Sequence, residues 1–345
     1  MRPIPLKSTG FGNHGELALL ARIRARASRL PGKDLRLAIG DDCALLHLRA
    51  GEEMAVTTDL SIGGRHFRLE QHAPESIGHR ALARGLSDLA AMGARPLAAF
   101  LSLGLPRELA GRWLNRFFDG FFALADAHNT PLAGGDLAES TIPVADIVLA
   151  GAVPSGKALL RSRAKPGHLL YVTGRLGGAA AGLAQLNKLA GARVPHGSPL
   201  NSLRELRIPA SLRDTLNPHL FPQPRLAQGL WLTRHSLASA AIDLSDGLST
   251  DLAHLCNESG VNAELNADAL PIYPTATLAQ ALHGGEDYEL LFTAPPSARL
   301  PRRIAGVPVT LIGRIVRPRA PMPQVCLITA HGSQPLAPRG WQHFS

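Results

Sequence analysis

Apolar residues recur at helical spacing near the start of the chain, where Leu17, Leu20 and Ile23 predict an amphipathic helix over residues 14–29. The pattern then shortens. Apolar stretches at 35–39, 44–48 and 53–58, broken by an Asp pair and by Ala50-Gly51-Glu52-Glu53, read as strands. Pro74 opens a helix that runs to about 92, because proline is tolerated in a first helical turn, and Met92-Gly93 closes it. A strand near 97–103, a helix near 107–128, an apolar segment ending at Gly134-Gly135-Asp136 and a strand over 144–153 complete the first half.

Pro154-Ser155-Gly156 marks a junction that divides the chain into residues 1–154 and 155–345. The second half restarts with a strand from His168 to Thr173, a glycine-rich turn and a helix to about 190. Residues 191–221 are rich in Pro, Gly, Ser and Asn and read as an insertion or excursion. A helix over 225–236, a strand over 239–243, a helix over 247–258 and a strand over 287–293 follow. Helices and strands alternate in both halves, so the expected class is α/β or α+β with two domains.

Composition narrows the function. With 345 residues, 45% of them hydrophobic and 18% charged, the chain reads as a soluble globular protein. The opening Met1-Arg2-Pro3-Ile4-Pro5 has no apolar core of signal-peptide length, and the run Ile147 to Val153 is too short to cross a bilayer. A cytoplasmic protein without a membrane partner is expected. Cys43, Cys256 and Cys326 match neither a disulfide framework nor a zinc site, and Cys43 reads as a small buried residue opening a strand. The formal charge of +9 raises the question of nucleic acid. The basic residues are scattered, however, with Arg22, Arg24, Arg26 and Arg29 along one helix, and aromatics make up only 5%. No nucleic-acid partner is expected.

The chemistry is carried by carboxylates in small-residue settings: Asp41-Asp42, Asp59 in Thr57-Thr58-Asp59, Asp88, Asp136 after two glycines, and Asp243 with Asp246. Most follow short apolar runs, the pattern of a strand delivering a carboxylate to a site. Several such groups converging would repel one another unless a divalent cation neutralised them, and hard oxygen donors suit Mg²⁺ held together with substrate phosphates. The chain therefore reads as a Mg²⁺-nucleotide protein. Gly174-Arg175-Leu176-Gly177-Gly178, after a strand and before a helix, has phosphate-loop character but lacks the Lys-Ser/Thr of a Walker loop.

Taken in order, the motifs resemble the thiamine-monophosphate kinase family, within the aminoimidazole-ribonucleotide-synthetase-like superfamily. The resemblance rests on Ile39-Gly-Asp-Asp-Cys-Ala44, Thr57-Thr-Asp59, Gly64-Arg-His-Phe67, Leu86-Ser-Asp-Leu-Ala-Ala-Met-Gly-Ala94, Gly134-Gly-Asp136, Ala164-Lys-Pro-Gly167, Ile242-Asp-Leu-Ser-Asp-Gly247, Gly284-Gly-Glu-Asp-Tyr-Glu-Leu290 and Gly340-Trp-Gln-His-Phe344. It implies an N-terminal domain that dimerises through its sheet and a C-terminal α/β domain closing over nucleotide. It further implies that Asp42, Thr57, Thr58, Asp59, Asp88, Asp136, Asp243 and Asp246 hold Mg²⁺ ions. Gly135, Asp136, Arg161 and Ser245 would contact ATP, and His66, Glu286 and Trp341 would contact thiamine monophosphate. Asp59, Asp136 and Asp246 would be the catalytic carboxylates of an in-line transfer giving thiamine diphosphate. A phosphate acceptor is already ionised at neutral pH, so no strong general base is required.

Leu137 stands where the family commonly has Thr, Gly85 where Asn is frequent, Trp341 where Tyr or Phe is usual and Gly178 where Asp is common. The alternatives are another ATP-using member of the superfamily, such as a hydrogenase-maturation dehydratase, and a nucleotide-binding regulator that has lost turnover. The dehydratase is disfavoured because its tail ends in a reactive Cys, whereas this chain ends Gln342-His343-Phe344-Ser345.

Overall fold

The computed structural model describes residues 16–191, 206, 208–318 and 323–341. The first helix, α1 (Glu16–Ala27), is followed by a short antiparallel pair, β1 (Leu35–Leu37) and β2 (Leu45–Leu46). The loop between them carries Asp41 and Asp42. Next come β3 (Glu52–Ile62), α2 (Pro74–Ala91), β4 (Arg95–Leu105), α3 (Arg112–Ala127), β5 (Leu132–Glu139) and β6 (Val144–Pro154). The helix predicted over 107–128 is interrupted: a 3-10 turn spans Arg107–Leu109, and Gly111 takes a non-helical backbone before α3 begins.

Four of these strands form one sheet in the order β3-β6-β4-β5, antiparallel except for the β4–β5 pair. Alternation along β3 and β6 sorts their side chains between two faces. One face buries Ala145, Ile147 and Leu149 together with Leu101, Leu103 and Leu105 against α2, on which α3 packs through Phe117 and Phe121. The opposite face leaves Met54, Val56 and Leu60 exposed.

The second half contributes β7 (Leu169–Thr173), α4 (Gly178–Ala190), α5 (Arg213–Leu220), α6 (Leu226–His235), β8 (Ala240–Asp243), α7 (Leu248–Ser259), β9 (Asn262–Asn266), α8 (Leu278–His283) and β10 (Leu290–Ala294). The last strands are β11 (Arg303–Ile304), β12 (Val307–Val316), β13 (Val325–Thr329) and β14 (Gly332–Pro335). An eight-stranded sheet runs β14-β13-β9-β12-β7-β10-β8, with β11 added at β12. Its pairings are antiparallel except β13–β9. Leu170, Val172, Ile242, Leu291 and Ile312 form its core with Leu252 and Leu255 of α7. The class is thus mixed α/β in two domains. The 191–221 excursion holds α5, docked on α4 through Leu186, Leu216 and Leu220; its residues 192–205 and 207 lie outside those described.

The helix that joins the two sheets is α2. It packs on the four-stranded sheet, on α3, on α6 and on β8, so most of its residues are buried. A helix wrapped by protein on all sides can carry polar groups only where partners wait for them. Those partners define the site.

Candidate active site

Arg80, Arg84 and Asp88 follow one another at four-residue steps along α2 and share a face, with Ser87 beside Asp88. Each has a distinct partner. Arg80 Nη2 donates to Glu286 Oε1 at 2.5 Å. Arg84 Nε donates to Asp59 Oδ2 at 2.9 Å, and its Nη1 to Ser61 Oγ at 3.3 Å. The Thr57 hydroxyl donates to Asp88, and Ser87 Oγ donates to Asp243 Oδ2 at 2.7 Å. One helix face therefore ties β3 to the end of β8 and to the Gly284–Leu290 motif.

The carboxylates so gathered are costly to ionise. Burial raises Asp59 despite Arg84. Burial and the neighbouring Asp59 raise Asp88, against the Thr57 hydrogen bond. Asp243, only 2% exposed, is pushed up to about 7 by burial and by Asp88, with Arg161 opposing. Asp251 rises to about 8 through burial and the charges of Asp243 and Asp246, although it accepts hydrogen bonds from the Asp246 and Gly247 N–H groups at 3.1 and 3.0 Å. Arg84 and Arg161 offset only part of this concentration of acid, and that is the electrostatic setting in which a bound cation is stabilising.

A second acidic group lies across the first sheet. Asp42, Gly135 and Asp136 line a cavity of about 460 Å³ bounded by the 38–44 loop, α1 and β5, with Phe100 and Phe118 in its wall. Gly135 has a positive φ of 145°, and a Cβ there would lie 1.9 Å from the Leu101 carbonyl oxygen, so only glycine lets the strand pass and present Asp136. Asp136 accepts from the Leu137 N–H at 2.9 Å, and Asp42 donates its N–H to Asp41 Oδ1 at 2.9 Å.

The predicted ligands are thus brought together in two sets: Thr57, Asp59, Asp88 and Asp243 around α2, and Asp42 with Asp136 at the cavity. Thr58 belongs to neither, since its hydroxyl points to the open face of the sheet and donates to Asp146 Oδ1 at 3.3 Å. Among the described residues no three His, Cys, Asp or Glu groups stand close enough together to hold a metal. The donor chemistry nevertheless fits Mg²⁺: every group is a hard oxygen, and burial raises the Asp59, Asp88 and Asp243 carboxyls, a cost that a bound cation would offset.

Of the remaining predicted residues, Ser245, Asp246, Glu286 and Trp341 are linked by backbone hydrogen bonds beyond the end of β8. Ser245 and Asp246 continue the loop from β8, where the Ser245 carbonyl accepts the Glu286 N–H at 2.8 Å and the Asp246 carbonyl accepts the Trp341 N–H at 3.1 Å. Gly340 N–H donates to Thr250 Oγ1 at 2.9 Å, so the C-terminal segment is fastened to this loop and holds Trp341, half exposed, beside it. His66 Nδ1 accepts the Ile62 N–H at 3.0 Å and shares a small recess with Arg80 and Arg84. Burial would raise the Glu286 carboxyl, but Arg80 and His219, with Arg84, hold it well below the usual carboxylate range. Residues 342–344 of the terminal motif lie outside those described.

Two expectations need correction. The Gly174–Gly178 turn does not offer the α4 N-terminus to a phosphate, because Asp287 already occupies it, accepting from Gly177 and Ala179 N–H groups at 2.6 and 3.0 Å. A carboxylate from the chain thus fills the anion site that the turn creates. Cys43 is exposed rather than buried, because the 41–43 turn carries it out of the β1–β2 pair; Cys256 and Cys326 are the buried ones.

Several polar side chains around the candidate site lay beyond the sequence reading: Arg80, Arg84, Ser87, Asp251, His72 and His219. Arg80, Arg84 and Asp88 carried a legible signal, a polar stripe at four-residue spacing on an otherwise apolar helix. His72 and His219 carried none, since their pairing spans 147 residues.

A mixed two-domain fold in which one helix, α2, holds carboxylates of both halves, Asp59 and Asp243, defines a class, and comparison with known proteins agrees with it. Residues 40–154 match the family model "AIR synthase related protein, N-terminal domain". The thiamine-monophosphate kinase of Escherichia coli K12 is 39% identical over 346 residues, covering 96% of this chain and 98% of that protein. The chain belongs to the thiamine-monophosphate kinase family. Among solved structures, the thiamine-monophosphate kinase of Stenotrophomonas maltophilia K279a superimposes with a TM-score of 0.74 at 39% identity, covering 90% of this chain and 96% of that one. AaThiL complexed with AMPPCP and TMP gives a TM-score of 0.73 at 26% identity, covering 98% and 99%.

Proposed function

We propose that this protein phosphorylates thiamine monophosphate with ATP, giving thiamine diphosphate and ADP by direct in-line transfer. The observation that carries the reading is the α2 stripe, which holds carboxylates of both halves, Asp59 and Asp243, around one cleft beside Glu286. The similar structure of AaThiL complexed with AMPPCP and TMP supports the binding of both ligands by one protein of this fold. Transfer between two ionised phosphates demands positioning and charge balance more than covalent help. The residues fit that demand: Asp59 is paired with the Arg84 guanidinium and Asp136 accepts the Leu137 N–H, contacts that hold a carboxylate in place.

In this reading Asp59, Asp136 and Asp246 are the catalytic carboxylates. Asp42, Thr57, Asp59, Asp88, Asp136, Asp243 and Asp246 would hold Mg²⁺, a cation that would supply the charge neutralisation letting two phosphates approach; the Thr58 hydroxyl, turned to Asp146, is not among these ligands. Gly135, Asp136, Arg161 and Ser245 take ATP. His66, Glu286 and Trp341 take thiamine monophosphate, the Trp341 ring stacking on its aromatic cation. The chain divides at 154/155 and works as a homodimer through the open sheet face, in the cytoplasm. Among the described residues no helix is long and apolar enough to cross a membrane.

The test is product formation from an acceptor panel. Purified protein with ATP and Mg²⁺ is expected to convert thiamine monophosphate to thiamine diphosphate and to leave thiamine unphosphorylated. ATP consumption without thiamine diphosphate would move the protein to another branch of the superfamily, and no ATP consumption at all would make it a regulator.

A further inference from the structure

Two buried histidines stand directly behind Glu286, and neither has a part in the chemistry described so far. His72, in the segment between β3 and α2, and His219, on α5, are 4% and 2% exposed. Their Nε2 atoms face each other at 3.0 Å. On the far side of His72, the Arg68 N–H lies 3.2 Å from Nδ1 and the Arg68 carbonyl 3.1 Å from it. On the far side of His219, Nδ1 is 3.3 Å from Glu286 Oε2, somewhat short of good hydrogen-bond alignment. The other Glu286 oxygen takes Arg80 Nη2 at 2.5 Å. The Glu286 side chain remains 26% exposed, so a ligand can still reach it.

Burial, and the nearby Arg80 charge, keep both rings neutral at pH 7. A neutral imidazole donates through one nitrogen and accepts through the other. A His219 Nδ1 lone pair facing a carboxylate would repel it, so the proton belongs on Nδ1 and the Nε2 lone pair faces His72. His72 must then donate through Nε2 and accept through Nδ1, which the Arg68 N–H satisfies. The opposite direction would set a lone pair against Glu286. One end condition therefore fixes both tautomers.

We propose that Arg68 N–H, His72, His219 and Glu286 form a directed hydrogen-bond relay that orients the Glu286 carboxylate, making His72 and His219 positioning residues for the acceptor. Arg68 lies two residues beyond His66, so the relay couples the two loops assigned to thiamine monophosphate. The strained backbone of Glu286, a non-glycine residue at φ 66°, is held by this scaffold and by the Ser245 carbonyl. His219 lies in the 191–221 excursion, so the relay gives that segment a role in acceptor binding. The assignment to the acceptor rests on the proposed function; the tautomers do not.

The test has two arms on the full chain. Histidine-selective ¹⁵N labelling is expected to show His219 protonated on Nδ1 and His72 protonated on Nε2, the two signals being assigned by their loss in His219→Asn and His72→Gln. Steady-state kinetics then compare His219→Leu with His219→Asn, whose amide can still donate near the Nδ1 position. His219→Leu is expected to raise KM for thiamine monophosphate by about ten- to hundredfold, the scale of a hydrogen bond to a charged group, with the ATP KM nearly unchanged. His219→Asn restores most of the loss. His219 protonated on Nε2 would overturn the relay, even if the wild type failed to use thiamine monophosphate, an outcome that would overturn the functional reading instead. Equal rises in both KM values, or no rescue by Asn, would overturn the positioning role.

Discussion

At the scale of single residues the cleft is governed by charge held in short supply. Asp59 is buried enough that its carboxyl is raised, and it is ion-paired with Arg84 at 2.9 Å. Asp59→Asn keeps the shape and removes the charge, so kcat is expected to fall by at least roughly a hundredfold, the scale of a lost electrostatic stabiliser, with the melting temperature nearly unchanged. Steady-state assays across a Mg²⁺ series check this; wild-type kcat in the folded variant would remove Asp59 from the machinery. Asp251 yields a pH prediction of definite sign. Its folded value of about 8 lies above the ordinary 3.8, so between roughly pH 4 and pH 8 the folded state keeps a proton that the unfolded chain releases. Wild-type stability is therefore lost as pH rises through that window. Asp251→Asn has no such proton, and the melting-temperature difference, variant minus wild type, is expected to grow with pH and level off above 8. Metal-free thermal melts at several pH values measure it, and a constant difference would contradict the assignment.

At the scale of elements the decisive piece is α2. It crosses α3 at two glycines, where a Cβ on Gly78 would lie 1.9 Å from the Phe117 carbonyl oxygen and one on Gly120 1.8 Å from that of Glu75. Neither neighbour is a side chain that can swing away. Gly78→Ala is expected to cost about 3 kcal/mol or more in denaturant unfolding, at the upper end for overpacking; a loss below about 1 kcal/mol would mean that the helices part easily. Most of this element was legible. Pro74 and Gly93 bracket the helix, and Asp88 among apolar flanks marks a carboxylate in the interior. Strands such as β9, Asn-Ala-Glu-Leu-Asn, and β14, Gly-Ser-Gln-Pro, were not. Their residues carry little alternation, and only pairing with β12 and β13 makes strands of them. The Gly174–Gly178 turn misled for a related reason: its local pattern is that of an anion site, while the anion, Asp287, arrives from 110 residues away.

At the scale of the whole molecule, each half supplies what the other lacks. The first half brings Asp59 and the Asp42–Asp136 set, the second half brings Asp243 and Glu286, and α2 is the element both halves bury. Candidate ligands within strand-end motifs could be singled out in the chain, because an acid after an apolar run has few structural excuses. The way they divide into two sets was not, since it depends on which face of β3 and β5 each side chain takes. That same alternation leaves Met54, Val56 and Leu60 on an exposed apolar stripe, the surface expected to join two copies. Val56→Glu is expected to convert the protein from twice the 36.6 kDa chain mass to a single copy in light scattering. A wild type that is monomeric at every concentration would reject the dimer.

The measurement closest to the central claim follows the γ-phosphate. ATP labelled in that group is mixed with protein and Mg²⁺, first alone and then with thiamine monophosphate. Direct in-line transfer predicts no labelled protein in the first case, and in the second all label lost from ATP recovered in the terminal phosphate of thiamine diphosphate. Labelled protein that forms without acceptor and passes its label on when acceptor is added would contradict it.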